Sequence, residues 1–275
     1  MKNNYFKRSA IHNLVITNCR KDFSSDEISE GLVIPKNILL KSDILPWEQI
    51  IVTKIDGNNW VNRIKTFVIE GEDDGKVEAR GSLANFLSPG DLTCLITYTL
   101  LDESEIKKYT MNQFPIFDLG FDPSINLDNK IESRLDVQYF LNKKSNIIDY
   151  TNYLDQRNNT VRFMLSSIIL GLKINKTHPD CLQGSAELPG NIMDKAGVYQ
   201  YQAVSVYNSS KGGLADTYAV PMPPEIVMTT GAMAQFAKEG EFVNVATYII
   251  TNSRVAPDII ITDGSKFVKK LNVII

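Results

Sequence analysis

The chain contains its own second copy, and this repeat narrows the possible folds more than any other feature. Pro35–Ile44 lies over Pro189–Val198 at an offset of 154 residues, without a gap. Ile50-Ile51-Val52 lies over Val204-Ser205-Val206 at the same offset. Thr66–Ile69 then matches Thr217–Val220 at 151, and Gly81–Phe86 matches Gly231–Phe236 at 150. Gly90-Asp91 and Thr97-Tyr98 are matched by Gly240-Glu241 and Thr247-Tyr248. Matches in one order with slowly drifting offsets predict a tandem duplication of a unit of roughly 100–120 residues, an ordinary domain size.

The unit reads as mostly β. Gln49–Ile55 and Leu92–Tyr98 are short runs rich in Val, Ile, Thr and Tyr, bounded by turn signals at Asp56-Gly57 and Pro89-Gly90. Lys211-Gly212-Gly213 is a hairpin signal in the second copy. Apolar residues three and four apart predict short helices over Asn37–Leu45 and Asn191–Tyr199. Many short strands with frequent turns predict a small barrel in each copy. Between the copies the chain turns rich in Asn, Asp, Lys and Ser, with a strand-like Phe114–Phe117 and a helical pattern near Asn129–Phe140. The expected domains are residues 1–131, a connector over 132–160, and residues 161–275.

Composition removes several function classes. A net charge of −3 and the absence of a long basic run argue against nucleic acid. No apolar stretch is long enough to cross a bilayer. Met1–Arg8 lacks the apolar core of a signal peptide, and the scattered Cys19, Cys94 and Cys181 suit a reducing compartment, so a cytoplasmic protein is expected. Two histidines and no Cys-x-x-Cys spacing predict no metal site.

Gly184-Ser185 alone would read as a turn. Its surroundings change that reading. The second copy carries Gln183-Gly184-Ser185, Asp194–Gly197, Asp216–Val220 and Thr229–Ala234 in order, and the first carries Ser9–His12, Arg63, Gly81 and Gly90-Asp91. Through these stretches both copies resemble the pyruvoyl-dependent aspartate 1-decarboxylases. The resemblance implies two tandem double-psi β-barrels with short helices, and an assembly of four barrels with sites between neighbours. It also implies chemistry: the serine hydroxyl attacks the preceding carbonyl, and elimination and hydrolysis leave a pyruvoyl group that serves as an electron sink during decarboxylation. By that resemblance Ser185 is the precursor and the cut falls after Gly184. Thr217 assists, Tyr218 is the proton donor, and the backbone of Gly231, Ala232 and Met233 lines the pocket.

The first copy has Gly31 or Leu32 where the serine should be, and Phe67 in place of Tyr218. Yet Arg63 falls on the family's carboxylate-binding arginine and His12 on its active-site histidine, where the second copy has Leu214 and Leu170. The halves are therefore expected to pool their residues in a composite site, with a homodimer restoring four barrels around a small-molecule substrate. Two departures stand out. The family lysine would fall at Ala10 and near Ile168, and Thr230 replaces an asparagine. Besides a decarboxylase, two functions remain open: an unprocessed barrel catalysing another small-molecule reaction, and a non-catalytic binding barrel.

Overall fold

The computed structural model describes residues 4–21, 27–55, 63–102, 105, 116–121 and 161–273. The expected connector, the Asn129–Phe140 helix, the Asp56-Gly57 turn and the boundary at 131 lie outside these residues.

The chain is mainly β. The first half comprises β1 (Asn4–Val15), β2 (Asn18–Arg20), β3 (Gly31–Pro35), α1 (Lys36–Ser42), β4 (Gln49–Lys54), β5 (Arg63–Gly71), β6 (Glu78–Arg80), α2 (Ser82–Phe86), β7 (Leu92–Leu101) and β8 (Ile116–Phe121). The second comprises β9 (Arg162–Lys173), β10 (Lys176–His178), β11 (Ala186–Pro189), α3 (Gly190–Ala196), β12 (Ala203–Asn208), β13 (Leu214–Met222), β14 (Met228–Thr230), α4 (Gly231–Phe236), β15 (Phe242–Thr251), β16 (Asp258–Asp263) and β17 (Lys266–Leu271). The sheet orders are β2-β6-β3-β5-β4-β7-β1-β8 and β10-β14-β11-β13-β12-β15-β9-β16-β17, the same topology twice with one added edge strand. In each, the parallel pairs β2·β6 and β3·β5, or β10·β14 and β11·β13, interleave within an otherwise mostly antiparallel sheet. These are the two barrel-like units expected from the sequence.

Strand register fixes which residues correspond. Leu32 pairs with Val68 and Ala79, as Ala186 pairs with Ala219 and Thr229, so Gly31 stands at the position of Ser185 and Glu30 at that of Gly184. Thr53 pairs with Arg63 and Cys94, as Tyr207 pairs with Leu214 and Asn244. Both early helices stop sooner than the apolar spacing predicts, because Asp43 and Gly197 adopt left-handed backbone and end them as αL caps.

Each half has its own apolar core, and a third core joins them. In the joint core Trp47, Phe67 and Ile69 pack with Met164, Leu165, Ile168, Leu170 and Tyr207. The Leu165 N–H donates to the Trp47 carbonyl at 2.8 Å. A buried four-charge cluster clasps the halves. Arg8 bonds Asp43 (2.7 Å) and Glu48 (2.6 Å), and Arg162 bonds the same two carboxylates at 2.9 Å each. Burial works against the Arg162 charge, but Glu48 and Asp43 outweigh it and raise its pKa.

Candidate active site

The approach to β11 carries Gly184 and Ser185, while β13 lies parallel to β11 and β14 antiparallel to it. Ser185 is buried, at 1% exposure. Its N–H donates to Thr230 Oγ1 at 3.0 Å, and its Oγ lies 2.8 Å from the same oxygen and 3.4 Å from Glu187 Oε1. Thr230 Oγ1 in turn donates to the Gln183 carbonyl at 2.9 Å. Thr217, on β13, donates its hydroxyl to the Gly184 carbonyl oxygen. A polarised carbonyl therefore sits directly before a buried serine hydroxyl, the pairing that an intramolecular acyl shift requires.

The loop is held close to the start of α4. Gly231 has φ +49, and a Cβ there would run into the Gln183 carbonyl oxygen and lie 2.6 Å from that of Cys181, so only glycine fits. A Cβ on Gly184 would lie 3.5 Å from the Ala232 nitrogen and 3.6 Å from that of Met233. Tyr218 is half-buried. Its hydroxyl donates to Gln183 Oε1 at 3.4 Å, and its ring lies 6.2 Å from that of Tyr201. Gly184, Ser185, Thr217, Tyr218 and Gly231–Met233 thus form one cluster in the second barrel.

His12 and Arg63 lie together on the first barrel. His12 Nδ1 is 3.4 Å from Cys94 Sγ, and Cys94, Thr53 and Arg63 stand side by side on β7, β4 and β5. Arg63 is exposed. Burial raises the Cys94 pKa, while Lys7 and Arg63 oppose that shift. Sequence reasoning missed this Cys94–His12 pair, and also Glu187. The signal for Glu187 was its place two residues after Ser185, on the same face of an extended strand.

The face of the second barrel that corresponds to His12 and Arg63 carries Leu170, Leu214 and Asn244, and it covers the first barrel's Gly31 region. Asn244 Nδ2 donates to Glu30 Oε2 at 2.9 Å, and the Ser82 hydroxyl and N–H donate to the same carboxylate at 2.6 and 3.1 Å. Full burial pushes the Glu30 pKa up to about 7, against the lowering effect of these bonds. Lys65 Nζ meets Asp216 Oδ1 at 2.5 Å on the same interface.

The two counterparts differ in cover. Trp47, in the first barrel, is 8% exposed beneath the second. Its counterpart Tyr201, which shares the positive φ (65° against 69°), is 69% exposed, with Tyr199 at 76% and Leu182 fully exposed nearby.

Among the described residues no group of three or more potential metal ligands occurs, and no helix is long and apolar enough to cross a membrane.

A family model described as aspartate decarboxylase matches residues 1–115 and again 160–269. The aspartate 1-decarboxylase of Thermoanaerobacter pseudethanolicus is 31% identical over 106 residues, covering 38% of this chain and 84% of the relative. That of Acetivibrio thermocellus is 31% identical over 103 residues, 37% of this chain and 75% of the relative. That of Clostridium kluyveri is 32% identical over 101 residues, 36% of this chain and 73% of the relative.

Proposed function

The chain belongs to the aspartate decarboxylase family, and on that premise we propose that it is a cytoplasmic, pyruvoyl-dependent decarboxylase of a small acidic amino acid, self-processed between Gly184 and Ser185. The observation that carries this reading is the Thr217 hydroxyl on the Gly184 carbonyl beside the buried Ser185 hydroxyl. The residues present fit a pyruvoyl group at position 185: the new chain end would lie at the start of β11, under Thr217 and against the Ala232 and Met233 backbone. Such a group supplies a ketone that withdraws electrons as carbon dioxide leaves. Tyr218 returns a proton to the substrate carbon. Arg63 pairs with the substrate's side-chain carboxylate as a two-pronged donor, and His12 lines the same face.

Arg63 and Ser185 belong to different barrels, and the interface inside the chain supports how they meet. It is head-to-tail: the first barrel's Gly31 end is covered by the second barrel's Leu170–Leu214–Asn244 face. Both complementary surfaces remain on the chain a second time. One is the exposed Leu182, Tyr199 and Tyr201 around Ser185; the other is the His12–Arg63 face. A head-to-tail contact can repeat and closes into a ring where its rotation allows. Two chains, each with its two barrels joined through 132–160, close a ring of four in which one chain's Arg63 and His12 face its partner's Ser185 site.

A denaturing gel with intact-mass measurement tests the reading. Two fragments that separate after Gly184 are expected, the later one carrying the pyruvoyl mass. A single full-length species under all conditions overturns it. A second reading draws on Ala10, wholly buried where the family lysine would fall. In it the intact chain uses Tyr218, Arg63 and His12 on another small molecule, and the same gel separates the two.

A further inference from the structure

We infer that Glu187 is the general base of chain cleavage, taking the hydroxyl proton of Ser185 as its oxygen attacks the Gly184 carbonyl. The inference rests on the self-processing proposed above.

A count of donors points to it. Thr230 Oγ1 has one hydrogen, and that hydrogen goes to the Gln183 carbonyl. The same oxygen accepts the Ser185 N–H. Between the two hydroxyls, Ser185 must therefore be the donor, at 2.8 Å. Thr230 is thus saturated, and a neutral hydroxyl is in any case too weak a base to keep the proton. Among the described residues the other acceptor of the Ser185 hydroxyl is Glu187 Oε1, at 3.4 Å, reached because Ser185 stands two residues before Glu187 on the extended chain that runs into β11. At 3.4 Å the resting contact is longer than the roughly 2.6–3.2 Å over which a general base works, so it must shorten on reaction, as catalytic hydrogen bonds often do. The first barrel, which has Gly31 in place of the serine, has Val33 in place of the glutamate.

The step balances without a co-reactant. Ser185 Oγ bonds to the Gly184 carbonyl carbon while its proton passes to the Glu187 carboxylate. The carbonyl oxygen takes the electron pair and is held by the Thr217 hydroxyl. When the pair returns, the carbon–nitrogen bond between Gly184 and Ser185 breaks, and Glu187 gives its proton to the departing nitrogen. The product is an ester of Gly184 on the Ser185 oxygen, with a free amine on residue 185. General bases of this kind contribute about 10²–10⁴-fold.

The test measures cleavage of freshly made full-length chain by gel and mass, with and without hydroxylamine, which cuts an ester but leaves a peptide intact. Glu187→Gln, nearly the same size, is expected to slow spontaneous cleavage at least about a hundredfold and to resist hydroxylamine, since the ester does not form. Glu187→Ala is expected to behave alike and to recover in added formate. If wild type cleaves and Glu187→Gln cleaves as fast, the inference is overturned and the decarboxylase reading stands. If hydroxylamine rapidly cuts Glu187→Gln, the ester forms without the carboxylate, and the assignment to this step fails. If wild type never cleaves, both fall. Unchanged circular dichroism and thermal midpoint separate loss of chemistry from loss of fold.

Discussion

The two barrels hold the same crossing of strands in opposite condition. In the second, Thr217 reaches the carbonyl before Ser185. In the first, the matching Thr66 hydroxyl is buried without a hydrogen-bond partner among the described residues, and so is the Ser29 hydroxyl. Thr230 ties the second loop at Gln183, whereas its counterpart Arg80 ties the first loop one residue earlier, at the Ile28 carbonyl, 2.9 Å away. The space left open by Gly184 is filled at the matching position by the Glu30 side chain, whose carboxylate is capped by Ser82 and by Asn244 of the other barrel. The first site has therefore lost more than a serine. At the matching position the first barrel presents instead the surface on which the second barrel sits, with the buried Glu30 held there by Asn244.

The sharpest way to break this comparison is to exchange the residues that define it. Ser185→Ala should abolish cleavage and decarboxylation completely while leaving the fold intact, read by intact mass and carbon dioxide release. Gly31→Ser should not create a second cut. Gly31 has φ +111, and a Cβ there would lie 2.9 Å from the Phe67 ring. The added side chain is thus strained and unable to reach an attack geometry. A new fragment ending at Glu30 would show that the first barrel had lost only its nucleophile.

The next largest effect tests whether the barrels are held as one unit. Arg162→Met removes one of two guanidinium groups from a buried cluster that two arginines and two carboxylates balance. Among the described residues Arg8 is then the remaining guanidinium of the cluster facing Asp43 and Glu48. Breaking a buried pair in this way destabilises by about 3–5 kcal/mol, read by denaturant unfolding. A change below about 1 kcal/mol, the value of an exposed pair, would mean that the clasp is incidental.

Glu30 gives the comparison a pH dependence. Its folded pKa, about 7, lies above the ordinary 4.5, so the fold disfavours the ionised form. The neutral group's contribution is full below the unfolded pKa and is lost as pH rises to about 7. A shift of this size corresponds to about 3 kcal/mol at one pKa unit per 1.36 kcal/mol. Glu30→Gln should flatten the fall in stability between pH 4.5 and 7 relative to wild type. A variant curve parallel to wild type would place the titration elsewhere.

Much of this was legible in the chain because a duplication carries its own control. Offsets read from Pro35 and Pro189, or Gly81 and Gly231, reappear as strand pairings, and the β-rich runs between turns became strands. The contacts that distinguish the halves were hidden. Glu30, Ser82 and Asn244 lie far apart in sequence and meet only when one barrel docks on the other. Helix spacing ran on to Leu45 and Tyr199 because apolar periodicity takes no account of a left-handed cap at Asp43 or Gly197. Glu187 looked like an ordinary strand residue until the Thr230 hydroxyl proved to be committed elsewhere.

The smallest effect concerns the pair Phe67 and Tyr218, which differ by one hydroxyl at matched positions. Phe67 is wholly buried in the core that joins the barrels, where a phenol would need a partner. Tyr218 is half-buried, and among the described residues its hydroxyl makes one long contact, 3.4 Å from Gln183 Oε1. Packing alone does not require that hydroxyl, so Tyr218→Phe should leave the thermal midpoint nearly unchanged. If the phenol delivers a proton to the substrate carbon, the variant should lose about a hundredfold in kcat, the low end for general acids, with KM unmoved. Cleavage, proposed to use Thr217 and Ser185, should proceed at the wild-type rate. A variant that turns over normally would make Tyr218 a wall of the pocket, no different in kind from Phe67. One that loses cleavage as well would place its hydroxyl in processing.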